Sequence, residues 1–244
     1  MPELEAPATN RPSALGVLWR GHVFLFDKKR ETTTFGAATG VRLLLIVAGL
    51  EVFRLARNQL QLSFLPFGVE VLIYLLLALA AIRFVAGVSW RQIGFNRWAQ
   101  WNATERSYFV QVVILINVVF TMLFAAKLRA AFADPSVVLT VFIPYLIYGF
   151  YQEVLYRGVL QTELVRRWGP TKGILVSNAL FTFGPLHYYY FLSGASLAVP
   201  MFASIFVIGL LFATVFHRTG NLWIVAIMHA FGNAYAVGTF GQSR

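Results

Sequence analysis

The sequence contains no cysteine, and only 12% of its 244 residues are charged. The first absence excludes a disulfide scaffold, a thiolate metal site and a cysteine nucleophile. The second excludes an ordinary soluble domain, in which about 25% of residues are charged and about 45–50% are apolar even with glycine counted. Hydrophobic residues make up 58% here, and the mean hydropathy is +0.67. A disordered chain needs the opposite balance. There is no internal repeat and no low-complexity tract, and Met1 to Ser13 is too polar to form the apolar stretch of a secretory signal. What remains is a polytopic α-helical membrane protein. Acidic residues are scarce too, 10 against 20 Lys and Arg, for a net charge of +10. In a soluble protein that excess would suggest nucleic acid. In this chain it reads as loops held against an anionic cytoplasmic leaflet, with the lipid bilayer as partner and no nucleic acid.

A membrane helix needs about 20 mostly apolar residues. Seven stretches qualify, near Ala37–Ala56, Leu65–Val85, Ser107–Ala126, Val137–Arg157, Gly173–Phe191, Leu197–Phe216 and Leu222–Phe240. The first is the weakest, because Arg42, Glu51 and Arg54 interrupt it. The expected fold is therefore an all-α membrane bundle of about seven helices. Residues 1–35 read as a cytoplasmic tail with an interfacial segment at Gly16–Phe26, and residues 36–244 as the membrane domain. Connectors carry turn signals at Asp134-Pro135, Trp168-Gly169-Pro170 and Thr219-Gly220-Asn221. Basic residues divide unevenly between alternate loops. Arg11, Arg20, Lys28 to Arg30, Arg83, Arg91, Arg97, Arg106, Arg166, Arg167, Lys172 and Arg218 fall on one side, and Arg54, Arg57, Lys127, Arg129 and Arg244 on the other. The expectation is a protein of the inner, cytoplasmic membrane with its N-terminus in the cytoplasm.

Ionisable groups inside a bilayer are expensive, so each is a functional candidate. Three late stretches hold an unusual set: Tyr151-Gln152-Glu153-Val154-Leu155-Tyr156-Arg157, Phe183-Gly184-Pro185-Leu186-His187 and His229-Ala230-Phe231-Gly232-Asn233. Residues four apart share a helical face, so Glu153 can pair with Arg157, His229 points with Asn233, and Phe183 stands one turn before His187. Pro185 should kink the fifth helix beside His187. One carboxylate, two imidazoles and one amide on three helices can build a polar chamber. A carboxylate there activates water, while His and Asn donate to an oxyanion. Two His and a carboxylate could also hold zinc, but the HExxH spacing is absent, and the sequence leaves a divalent metal open. Glu51, Arg54 and Glu70 read as structural partners, and Tyr188 to Tyr190 as an aromatic belt with substrate stacking as the alternative. A small transporter, using Glu51, Glu70 and the late histidines as a proton path, is a more distant reading. Paired broken half-helices, which such a path favours, are absent from the sequence pattern.

These three clusters resemble the motifs of the CPBP intramembrane endopeptidases, the CAAX-protease and bacteriocin-processing family that includes the type II CAAX prenyl endopeptidases. That family shows EExxxR, FxxxH and HxxxN in this order on late membrane helices. The likeness covers about residues 137–240, with Trp223 placed as the family places a residue ahead of its last motif. It implies an intramembrane protease acting on a membrane-anchored protein or peptide, with Glu153, His187, His229 and Asn233 catalytic and Gln152 and Arg157 in support. One position departs from the pattern, since the first Glu is Gln152. A Gln amide cannot accept a proton at neutral pH. Either Glu153 supplies the base, or the chain is a non-catalytic member acting in peptide or bacteriocin immunity or as a membrane partner, or the Gln is an introduced change. Residues 152 and 153 sit about 100° apart on a helix, so they cannot address one atom without a bulge.

Overall fold

The computed structural model describes residues 35–60 and 65–236. The expected tail, the interfacial segment and the final residues of the last stretch lie outside them. The described residues are helical, with no strand among them. The helices are α1 (Ala37–Gln59), α2 (Phe67–Ala80), α3 (Ala103–Leu123), α4 (Ala125–Ala133), α5 (Ile143–Glu153), α6 (Thr162–Phe183), α7 (Ala195–Thr219) and α8 (Leu222–Ala236). Wide π-type turns extend α2 over Ala81–Val85, lead into α5 over Val138–Phe142, and join α5 to α6 over Val154–Gln161.

Four runs are long and apolar enough to cross a membrane: Phe67–Val85, Ala103–Leu123, Pro135–Phe191 and Ala195–Thr219, with Leu222–Ala236 a shorter apolar helix. The expected count of seven is thus not reached by length and composition among the described residues, although helix occupies each expected stretch. The causes are local. Charge dilutes α1, and Pro135–Phe191 runs through two expected spans as 57 residues. Inside that run the backbone leaves helical geometry at Gly169, with φ 79° and ψ 170°, just before Pro170. The second break falls where the proline predicted a kink. Gly184 is extended, Pro185–His187 forms a tight turn, and Tyr188–Phe191 resumes one turn of helix.

Helix ends follow the chemistry of their caps. At the start of α3 the Asn102 side chain accepts from the Glu105 N–H at 2.8 Å, and Glu105 accepts from the Asn102 N–H at 2.8 Å. This reciprocal pair satisfies two donors that a helix start leaves open. Asp134 caps the turn at Pro135 with a single bond, accepting from the Ser136 N–H at 2.9 Å. The connector before α3 is clamped to the α7–α8 turn. Leu222 donates its N–H to the Gly94 carbonyl at 2.9 Å, and the Asn96 amide donates to the Gly220 carbonyl at 2.9 Å.

α1 is sided in an unusual sense. Its buried stripe is Gly40, Leu43, Val47, Glu51 and Arg54, while Val41, Leu45, Val52 and Phe53 are exposed. In a bilayer the apolar residues can face lipid, and the charged ones turn into protein. Glu51 and Arg54 pair at 2.9 Å, and Glu70 of α2 pairs with Arg57. The deepest part of the molecule is the end of α5 and the turn that follows. Every residue from Tyr151 to Leu164 is buried.

Candidate active site

The site begins with a close approach of two backbones. A side chain on Gly149 would put its first carbon 2.8 Å from the Ala230 Cα and 2.8 Å from the His229 carbonyl oxygen. Only glycine lets α5 lie this near α8. One turn further along α5, Gln152 and Glu153 reach α8 side chains. Glu153 Oε1 stands 2.7 Å from His229 Nδ1, and the Asn233 amide donates to Gln152 Oε1 at 3.0 Å. The adjacent residues therefore take separate partners one turn apart, as their angular offset requires. A carboxylate only accepts, so His229 Nδ1 carries the proton and its Nε2 presents a lone pair. Glu153 is fully buried, while His229 is at the edge of burial and Asn233 is half-buried.

Arg157 neutralises the carboxylate without capturing it. Its Nε lies 3.6 Å from Glu153 Oε2, beyond a hydrogen bond. The guanidinium donates instead to the Gly209 carbonyl at 3.0 Å and stacks over Phe181, 4.5 Å from the ring centre. Gly209 is again a steric requirement, because a side chain there would fall 2.4 Å from Asn178 Oδ1 and 3.2 Å from the Arg157 guanidinium. Asn178 and Gln161 donate to the neighbouring α7 carbonyls of Phe206 and Ala213, at 2.9 and 2.8 Å. Three side chains thus hold one face of α7 through its backbone. Their donors are charged or amide groups that burial would otherwise leave costly.

His187 stands apart from the dyad, with one aromatic ring between. Its Nδ1 donates to the Phe181 carbonyl at 2.9 Å, leaving Nε2 as an acceptor. The Phe181 ring meets His187 edge-on at 5.3 Å and His229 edge-on at 5.7 Å. On its other side His187 stacks near Tyr190, at 6.1 Å, and Tyr190 packs on Tyr189 at 4.2 Å. Phe183, expected to share a face with His187, is exposed and packs on Phe202 at 5.2 Å. The break at Gly184 undoes the four-residue rule, and Phe181 does what the sequence assigned to Phe183. Among the described residues no three His, Asp or Glu side chains gather as a metal-holding group. His187 is drawn away by its bond to Phe181, so Glu153 and His229 are left as two donors.

Residues 134–235 match the family model Rce1-like, described as type II CAAX prenyl endopeptidase Rce1-like. That segment belongs to the CAAX-protease family. Searches of curated proteins and of solved structures returned no match. The CAAX-protease segment contains Gln152, Glu153, Arg157, His187, His229 and Asn233, and begins at the Asp134 cap. It leaves out α1 to α4, of which α1 packs against the Val154–Gln161 turn and α2 against α5. Gly149, Phe181 and Gly209 went unrecognised in the sequence. Their signals are a glycine inside an otherwise apolar helix and an aromatic beside a helix break, and neither is specific without coordinates.

Proposed function

We propose that the protein is an intramembrane endopeptidase that hydrolyses a membrane-anchored protein or peptide, with Glu153 and His229 acting as one unit. The observation that carries this reading is the buried 2.7 Å contact between Glu153 and His229 inside the CAAX-protease segment. Water gives its proton to His229 Nε2 as its oxygen attacks the scissile carbonyl carbon. Glu153 holds the imidazole in the required tautomer and stabilises the imidazolium. Arg157, 3.6 Å away, sets a positive charge beside the carboxylate. Asn233 keeps a second amide N–H beyond the one given to Gln152, and that N–H supports the oxyanion. As the C–N bond breaks, the imidazolium returns its proton to the leaving amine. His187 Nε2 orients water or substrate from the more open side. No step passes through a metal.

This refines the expectation that Glu153 would act on water directly with His229 at the oxyanion. A carboxylate already engaged by imidazole works through it. The test is peptide cleavage by the unaltered protein beside Glu153→Gln, His229→Gln and Gln152→Glu. Loss of turnover in the first two, with Gln152→Glu near the starting rate, supports the dyad. Cleavage that survives Glu153→Gln sinks it. The presence of Gln152 where the family has Glu favours a second reading, a non-catalytic member acting as a membrane partner. Cleavage gained only in Gln152→Glu would support that reading. The proposal also takes the connector around Arg97 to be cytoplasmic in the inner membrane. A cysteine at Arg97, which is exposed, should resist an impermeant thiol reagent in intact cells.

A further inference from the structure

Glu153 spends one carboxylate oxygen on His229, and the other, Oε2, is buried with no hydrogen-bond partner among the described residues. Arg157 Nε and Nη1, Gln161 Oε1, Asn178 Oδ1 and Thr182 Oγ1 are buried and unpartnered in the same way. None of these five residues is more than 1% exposed. Buried polar atoms in folded proteins nearly always have a partner, from protein or from ordered water.

The five side chains belong to one place. Glu153, Arg157 and Gln161 follow one another at four-residue spacing through the end of α5 and the wide turn after it, so they share a face. Glu153 Oε2 and Arg157 Nε are 3.6 Å apart. α7 aligns the others. Its carbonyls at Phe206, Gly209 and Ala213, which share a face by their spacing, accept from Asn178, Arg157 and Gln161 in turn. The point that a Gly209 side chain would occupy is 2.4 Å from Asn178 Oδ1 and 3.2 Å from Arg157 Nη2, so the amide oxygen borders the guanidinium. Thr182 stands one turn beyond Asn178 on α6. It directly follows Phe181, whose ring lies over Arg157 and whose carbonyl holds His187.

The unpartnered atoms are of both kinds. Arg157 and the Thr182 hydroxyl donate, while Glu153, Gln161 and Asn178 offer acceptors. An anion would answer the donors and meet the Glu153 charge, and a cation would answer the acceptors and meet Arg157. Water donates and accepts, and a buried water takes two to four such partners. We propose that Glu153, Arg157, Gln161, Asn178 and Thr182 form a buried water-holding site that supplies the candidate active site. Its role rests on the proposed hydrolysis, which consumes one water for each bond cut. The site adjoins the dyad at Glu153, so water stays beside the carboxylate while a bound peptide covers the more open His187 side.

Thr182 separates this role from packing. Valine keeps the shape of threonine without its hydroxyl, whereas serine keeps the hydroxyl and loses the methyl group. Were the hydroxyl merely an unpaired group in a packed core, Thr182→Val would be harmless or stabilising and Thr182→Ser the damaging change. The water site reverses that order. In steady-state cleavage by the full-length protein in lipid nanodiscs, Thr182→Val should lower kcat roughly 3- to 10-fold with KM little changed, the worth of one hydrogen bond. Thr182→Ser should keep the starting kcat, and Asn178→Leu should fall with Thr182→Val. A crystal structure of the unaltered full-length protein, at a resolution that shows ordered water, gives a readout that needs no variant to fold. Water oxygens should lie within about 3.2 Å of Glu153 Oε2, Arg157 Nη1 and Asn178 Oδ1. Side chains closed on one another without water, or a kcat kept by Thr182→Val and lost by Thr182→Ser, overturns the inference. Glu153-dependent cleavage without that water would overturn it and leave the proposed hydrolysis standing. Water in place with no cleavage by the unaltered protein would overturn the hydrolysis and, with it, the supply role.

Discussion

Two buried Glu–Arg pairs lie among the described residues on α1 and α5, and they are built to opposite ends. Glu51 and Arg54 are three residues apart on α1, and Glu153 and Arg157 four apart at the end of α5. In the first pair the arginine gives two N–H donors to one carboxylate oxygen, at 2.9 and 3.3 Å. In the second it stands off at 3.6 Å, engaged by the Gly209 carbonyl and the Phe181 ring, and the carboxylate goes to His229 at 2.7 Å. The sequence pattern is almost the same. The difference comes from what surrounds each arginine. α7 offers Arg157 a backbone carbonyl and α6 an aromatic face, so the charge is stabilised without consuming the glutamate. Arg54 has no such substitute among the described residues. A carboxylate beside a cation is therefore free for chemistry only when a third group occupies the cation.

The largest expected effect separates the two glutamates. Glu153→Gln should cost about 10²–10⁴-fold in kcat, the usual worth of a positioned proton acceptor. Glu51→Gln, whose carboxylate meets Arg54 rather than an imidazole, should leave kcat within a factor of a few. Equal losses of kcat in steady-state cleavage assays would erase the distinction.

Next in size is the removal of one arginine. Arg157→Met leaves Glu153 buried without its cation and should lower stability by about 3–5 kcal/mol, read as an earlier thermal unfolding transition. Combining Arg157→Met with Glu153→Gln should recover much of that loss, because no uncompensated charge then remains. A loss unchanged in the double variant would mean that Arg157 matters for packing on Phe181 rather than for charge.

Gly149→Ala probes the contact that makes the second pair useful. The added carbon meets α8 backbone, so the helices must separate, at a cost of about 1–3 kcal/mol for overpacking. Turnover should fall by roughly 10²-fold, as misplacement of about 1 Å costs in general. An unaffected rate would show that the distance between Glu153 and His229 does not limit catalysis. The smallest effect belongs to Gln152→Ala. It removes one hydrogen bond to Asn233, worth about 0.5–1.5 kcal/mol, and kcat should fall by less than about tenfold.

Most of the helices were legible from hydropathy, and the three polar clusters from the cost of burying charge. The number of spans was less so, because α1 trades apolar residues for inward charges and the run from Pro135 to Phe191 continues through its breaks at Gly169 and Gly184. Partner choice was half legible. Spacing correctly put Glu153 near Arg157 and His229 on the side of Asn233, yet it could not say that Arg157 turns to Gly209. Helical periodicity failed at His187, since the chain is not helical at Gly184 and Phe181 takes the place expected of Phe183. The charges of α1 were read as local partners. Their direction depends on which side of α1 meets the rest of the bundle, and in a bilayer an apolar side can face lipid as readily as protein, so the pattern does not announce that side.

The contact between Glu153 and His229 also has a meaning in the order of synthesis. The two residues are 76 positions apart, and His229 lies on the last described helix. Translation proceeds at about 5–20 residues per second, so several seconds separate the appearance of the glutamate from that of its histidine. During that interval α5 exists and α8 does not. Glu153 then has Arg157 as its near charged neighbour and no imidazole to work through. The contact forms only when α8 enters the bundle, and until then a nascent chain beside other newly made membrane proteins carries the carboxylate without that imidazole.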